Sequence, residues 1–259
     1  MSDTSFPASI AIPATTIDDV ILQLTAIVEW SKQNNSRIGY FAALYRKVTT
    51  QVKTGIEDNF FDDGPRMERL DVIFANRYIH ACYQRQTGQT PTQSWVRAFD
   101  ETEHWWPIVL QHLLMGMNAH INLDLGIAAA ETVPPEDLPS LKGDFDKINL
   151  VLASLVGDVQ KELAEIWLLQ GLLNRYLGSV EKSIINFSMA KARDAAWSFA
   201  ETLSPQSAEQ RRQQIVHKDK MVALFSNVIS RPGFQISLIT KIIRLGERGN
   251  TRQIIEVLT

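Results

Sequence analysis

Apolar residues recur along this chain at intervals of three and four, the spacing of one face of an α-helix. Val20, Leu24, Ile27 and Val28 form such a face after Thr16, an N-cap residue followed by the acids Asp18 and Asp19. Phe41, Leu44, Tyr45, Val48 and Val52 form the next, predicting a helix over Tyr40 to Gly55. The run from Asn59 to Pro65 reads as a loop, and Pro65 sits where the following helix, Arg66 to Arg85, begins. Helices are then expected over Ser94 to Glu103, Phe145 to Tyr176, Glu181 to Leu203 and Ala208 to Ile229. Gly171 or Gly178 interrupts or ends the second of these, and Pro134, Pro135 and Pro139 bound the connection before it. Arg231-Pro232-Gly233 makes a turn before a final pair, Ile236 to Leu245 and Thr251 to Leu258.

No segment alternates apolar and polar residues long enough to argue for a sheet, and no period of 20–50 residues suggests a solenoid. The pattern predicts an all-α fold: a single-domain multi-helix bundle with a buried central helix. Residues 1–15 read as an extended N-terminal segment and 16–259 as one helical domain, its last part, 205–259, being basic.

The central helix is expected over Pro107 to Gly126, of which Pro107 to Leu123 carries no formal charge. Its Leu, Met and Ile residues fall on all sides, and a helix apolar all round is buried. It is short for a bilayer and holds Gln111, His112, Asn118, His120 and Asn122, each costly in lipid, so no membrane span is expected. In a buried helix the same residues need partners, because an unsatisfied polar group costs about 1–3 kcal/mol.

His120 and Asp124 lie one turn apart on one face, and Asn118 and Asn122 make a second pair on the opposite face. Gly116 is a place where the helix can loosen. Three readings of His120 and Asp124 stay open. As metal ligands they supply an imidazole nitrogen and a carboxylate oxygen for a divalent ion, with His80, His112 and Asp71 as further ligands. As an acid/base pair, Asp124 orients His120 and raises its pKa. As structure, they tie helices together.

The helix around Leu70 to Ala81 is also apolar over most of its circumference, yet carries Asp71, Asn76, Arg77 and His80. Packing it beside the central helix brings Asn76 and His80 to one of the polar pairs, while Arg77 either forks onto Asp124 or reaches the surface. Asp144 and Asp146 open a helix as dipole complements, or reach the central site. Arg193 and Trp197, one turn apart, line a ligand pocket or pack in the core. Trp105 and Trp106 stack at one end of the bundle.

Composition narrows the picture. The 259 residues are 45% hydrophobic with a net charge of −3, which excludes extensive disorder and gives no electrostatic reason for nucleic acid. From Pro205 onward nine Lys and Arg face four Asp and Glu, a net of +5, so the first 204 residues carry −8. That tail is a solvated surface or a docking surface for an anionic partner. One cysteine, Cys82, and an N-terminus unlike a secretory signal fit a cytoplasmic protein. G-x-G-x-x-G, the P-loop, C-x-x-C, H-E-x-x-H and G-x-S-x-G are all absent. The paired E-x-x-H motifs of di-iron bundles are missing too.

Several blocks resemble a bacterial family of uncharacterised all-helical proteins. They are Phe41-Ala42-Ala43-Leu44-Tyr45-Arg46-Lys47-Val48-Thr49, Phe74-Ala75-Asn76-Arg77-Tyr78, Asp144-Phe145-Asp146-Lys147-Ile148-Asn149 and Ala192-Arg193-Asp194-Ala195-Ala196-Trp197. The most specific is Gly116-Met117-Asn118-Ala119-His120-Ile121-Asn122-Leu123-Asp124-Leu125. The resemblance covers about residues 40–200, implies a helical fold and brings no activity with it. The residues themselves point to a small-molecule enzyme with a site built from His120, Asp124, Asn118, Asn122, Asn76 and His80, metal-assisted or acid/base, hydrolytic or lyase-type. The competing class is a non-catalytic ligand-binding or interaction protein.

Overall fold

The computed structural model describes residues 5–166, 189–231 and 233–259. Among them every regular element is helical: α1 (Ile17–Asn34), α2 (Ile38–Glu57), α3 (Gly64–Gln86), α4 (Gln93–Thr102), α5 (Val109–Ala119) and α6 (Leu125–Thr132). The order continues with α7 (Leu138–Ile166), α8 (Met189–Leu203), α9 (Ala208–Ser230), α10 (Phe234–Gly246) and α11 (Thr251–Val257). A π-helical turn, His120–Asp124, joins α5 to α6. None of these helices is long and apolar enough to cross a membrane.

Local chemistry sets several boundaries. Thr16 accepts from the Asp19 amide while the Asp19 carboxylate accepts from the Thr16 amide, a capping box that starts α1. Asn35 ends it in the left-handed conformation, φ 51°. Asp63 caps α3 and Pro65 follows in its first turn. Pro139 likewise lies inside the start of α7 rather than in a connection, so that helix begins before the expected Phe145. Asp144 is therefore an interior residue of α7, not a first-turn acid. The expected positions 167–176, Gly171 and Gly178, and the first residues of the helix from Glu181, lie outside the described residues.

The rod formed by α5, the π turn and α6 is the centre of the bundle, with α2, α3, α4, α8 and α9 packed around it. From Val109 to Ala130 every residue is buried except Leu110, Met117 and Asn122, which are half-buried. Each large aliphatic side chain so enclosed contributes about 1.5–3 kcal/mol. Gly116 does not break the rod. It brings the rod against α2, since a Cβ there would stand 2.4 Å from Phe41 Cγ. Gly126 does the same against α8, where a Cβ would stand 2.7 Å from the Ala196 carbonyl oxygen. The loosening falls between the two glycines, in the turn that holds His120 and Asp124. The residues before α1 are pinned by α3: Asn76 Oδ1 accepts from the Ala14 amide and Asn76 Nδ2 donates to the Ala14 carbonyl.

Candidate functional site

In the π turn the Leu125 amide donates to the His120 carbonyl, closing an i→i+5 ring in place of the α-helical one. His120 and Asp124 still project together, with His120 Nδ1 3.5 Å from Asp124 Oδ2. Arg77 Nε on α3 donates to Asp124 Oδ1 at 2.8 Å, and Trp95 Nε1 on α4 donates to Oδ2 at 2.8 Å. Arg77 both reaches the buried carboxylate and keeps its side chain 25% exposed. Burial pushes the Asp124 carboxyl up, but the Arg77 guanidinium and the hydrogen bonds from His120 and Trp95 overcome it and hold the group ionised. Burial lowers the His120 pKa against the pull of Asp124, so the imidazole is neutral at pH 7. This reverses the expected upward shift, because desolvation outweighs a carboxylate already neutralised by Arg77.

Aromatic rings enclose the imidazole. Phe74 stacks on it at 3.5 Å with planes 6° apart, and Tyr45 meets it edge-on at 4.4 Å. Phe41, Trp95 and Tyr78 complete the cage at 5.8, 6.0 and 6.1 Å. Phe74 is the most exposed of these rings. Around the cage, His120 Nε2 and Asp71 Oδ2 are buried without a hydrogen-bond partner among the described residues, while the Tyr45 hydroxyl approaches that of Thr49 and the Tyr78 hydroxyl approaches the Cys82 thiol. Burial first, and the Glu68 charge second, push Asp71 up to about 7. Burial first, and then the charges of Asp71 and Asp124, raise the pKa of the Tyr45 hydroxyl against a hydrogen bond with Thr49.

The other candidate residues lie elsewhere. Asn118 donates to the Val222 carbonyl and the Ser226 hydroxyl of α9, both at 3.0 Å, and Asn122 donates to Asn118 at 2.9 Å. That pair faces away from His120, as its spacing predicts, and fastens α9 to the rod. Asn76 holds Ala14. His80 is exposed and lies 6.4 Å from the Tyr83 ring. His112 packs edge-on against Tyr40 at 5.7 Å. Arg193 is buried, donates to the Phe145 carbonyl and covers the Phe145 ring at 4.4 Å. Asp144 accepts from the Asp62 and Asp63 amides and from Arg66 and Lys147, well away from the cage.

The proposed metal set is thus not assembled. Among the described residues no three His, Cys, Asp or Glu side chains converge as metal ligands. Both Asp124 oxygens are already engaged, and His120 Nδ1 faces Asp124 rather than a shared third point. Trp95, Phe74, Tyr45 and Thr49, which gather around His120 and Asp124, are not among the candidate residues that the sequence singles out. Tyr45 and Thr49, one turn apart on an otherwise apolar face of α2, were the visible signal. Trp95 and Phe74 carried none, since an aromatic residue on an amphipathic helix reads as core.

Residues 17–232, well over half of the chain, match a family of unknown function, DUF5995. The chain belongs to this family. The match is wider than the 40–200 resemblance at both ends and takes in α1 and α9. No curated protein and no solved structure matches the chain.

Proposed function

We propose that this DUF5995 protein is a small-molecule enzyme whose acid/base site is the cage around His120. The observation that carries this reading is the buried, unpartnered His120 Nε2, with the buried Asp71 Oδ2 also unpartnered beside the same cage. A purely structural network satisfies its members, since each buried polar atom left unpaired costs about 1–3 kcal/mol. A π turn at the same place supports the reading, because such insertions recur at functional sites.

The roles follow from the charges. Ionised Asp124 accepts from Nδ1–H, which leaves the Nε2 lone pair facing the cage. Neutral His120 takes a proton from a substrate C–H or an attacking water. Asp71, which exchanges its proton near neutral pH, returns one to the leaving oxygen, so the reaction is a lyase-type or hydrolytic step. Tyr45 orients the substrate by hydrogen bonding. Arg77 and Trp95 are positioning residues that keep Asp124 ionised and in place. The substrate is small and polar, and it enters by displacing Phe74, the least buried ring.

The second reading is a non-catalytic network, favoured by the tight Phe74 stack and by the two prominent cavities, neither of which His120 lines. A thermal-shift screen of small polar metabolites separates the two. Under the enzyme reading a hit raises the melting temperature of the wild type, loses its effect in His120→Gln, and is consumed by the wild type but not by Asp71→Asn. Hits that stabilise the wild type and His120→Gln equally, or a screen with none, select the network.

A further inference from the structure

A second polar site lies at the opposite end of α5, where the N-terminal and C-terminal helices meet. It is a groove of about 310 Å³ between the α1–α2 corner, the Trp105 loop and the α10–α11 corner. This volume is at the small end of ligand sites. Asn35, Arg37, Tyr40, Trp105, Arg244 and Thr251 are among the residues that line it.

The charges are unequal. Arg244, its side chain 11% exposed, donates from Nη1 to Glu247 Oε2 at 2.7 Å and from Nε to the Trp105 carbonyl, and its guanidinium stacks 4.8 Å from the Trp105 ring. Glu247 is fully engaged, because its Oε1 accepts from the Val109 amide at 2.8 Å. Arg37 donates from Nη1 to the Thr102 carbonyl at 2.8 Å, and no carboxylate among the described residues lies within ion-pair distance of it. Two guanidiniums and one carboxylate leave the groove with one positive charge in excess. Tyr40, only 2% exposed, stands at the floor with His112 behind it. Burial holds His112 neutral, with a pKa of about 3, and the charges of Arg37 and Arg244 add to that effect.

We propose that this groove binds a small oxyanion, a carboxylate or a phosphate, with Arg37 supplying the fork and Arg244 a prepositioned second charge. Arg244 is fixed by Trp105 and Glu247 before any ligand arrives, so little side-chain freedom is lost on binding. A bound anion joins the start of α2 to the end of α10, and so ties the C-terminal helices to the body of the bundle.

The full chain is titrated separately with sodium phosphate and sodium benzoate, with sodium chloride at matched ionic strength as control. Melting temperature and tryptophan emission are read together. A saturable rise in melting temperature beyond the chloride control is expected with at least one anion, and which one responds identifies the headgroup. Arg37→Gln is expected to weaken that response at least tenfold, and Arg37→Lys less, since lysine keeps the charge without the fork. Tryptophan emission is expected to change over the same concentrations, because Trp105 lines the groove. No saturable response to either anion, or equal responses from wild type and Arg37→Gln, overturns the proposal.

Discussion

Asp144 and Asp124 are both buried aspartates held below the usual carboxylate range by cationic and hydrogen-bond partners, yet their surroundings differ. Asp144 on α7 accepts from two loop amides, Arg66 and Lys147, and fastens the loop before α3 to α7. Asp219 on α9 has the same character, accepting from the Gln93 and Ser94 amides at the start of α4. Such clamps close on themselves. Asp124 is equally saturated, but it holds an imidazole whose other nitrogen has no partner, beside an Asp71 oxygen that has none either. A clamp uses polarity to join backbone segments. The cage keeps polarity in reserve around a ring, and under the proposed function that reserve meets the substrate.

Alanine at either aspartate has the largest expected effect. Asp144→Ala and Asp124→Ala each lose about 3–5 kcal/mol, because each strands a partly buried arginine. Denaturant unfolding measures this, and a loss below about 1 kcal/mol at Asp124 removes it from the frame of the molecule. Asparagine then separates the regions by sign. Asp144→Asn is destabilising. Asp71→Asn is stabilising, by up to about 4 kcal/mol at pH 8. Asp71 has its folded pKa raised from 3.8 to about 7, so its contribution is fully present below about pH 4 and is lost as pH rises to about 7. The gain from Asp71→Asn therefore grows across that window and is flat above it. A pH-independent difference between the two proteins contradicts a buried, protonating Asp71. The smallest effect on stability is His120→Gln, about 1 kcal/mol for the lost stacking, against complete loss of turnover if the cage is catalytic.

Much of this was legible in the sequence. The all-round apolar character of 107–126 placed the central rod, and one-turn spacing put His120 with Asp124 and Asn118 with Asn122. Arg77 met Asp124 because a guanidinium one helix away is the natural partner of a buried carboxylate. What stayed hidden depended on tertiary proximity. Asn76 and Asn118 carry the same side chain, yet one meets a loop backbone and the other a neighbouring helix, a difference that periodicity does not encode. His112 and His80 shared the same chemistry as His120 but not its neighbours. Trp95 is indistinguishable from any core tryptophan until its indole N–H is seen 2.8 Å from Asp124. The switch to i→i+5 bonding at His120 also had no marker, since the glycine nearest to it, Gly116, lies in regular helix.

That switch makes chain length, more than residue identity, the constraint on the centre of the molecule. The π turn accommodates one residue beyond what an α-helix would hold between the close contacts at Gly116 and Gly126. Deleting a single residue of that turn lets the α-helical ladder close with both glycines still near Phe41 and Ala196, at the cost of the His120–Asp124 arrangement, whereas a deletion or insertion in the regular helix on either side turns everything downstream by about 100° relative to everything upstream. The segment is open to a change of length only within the turn.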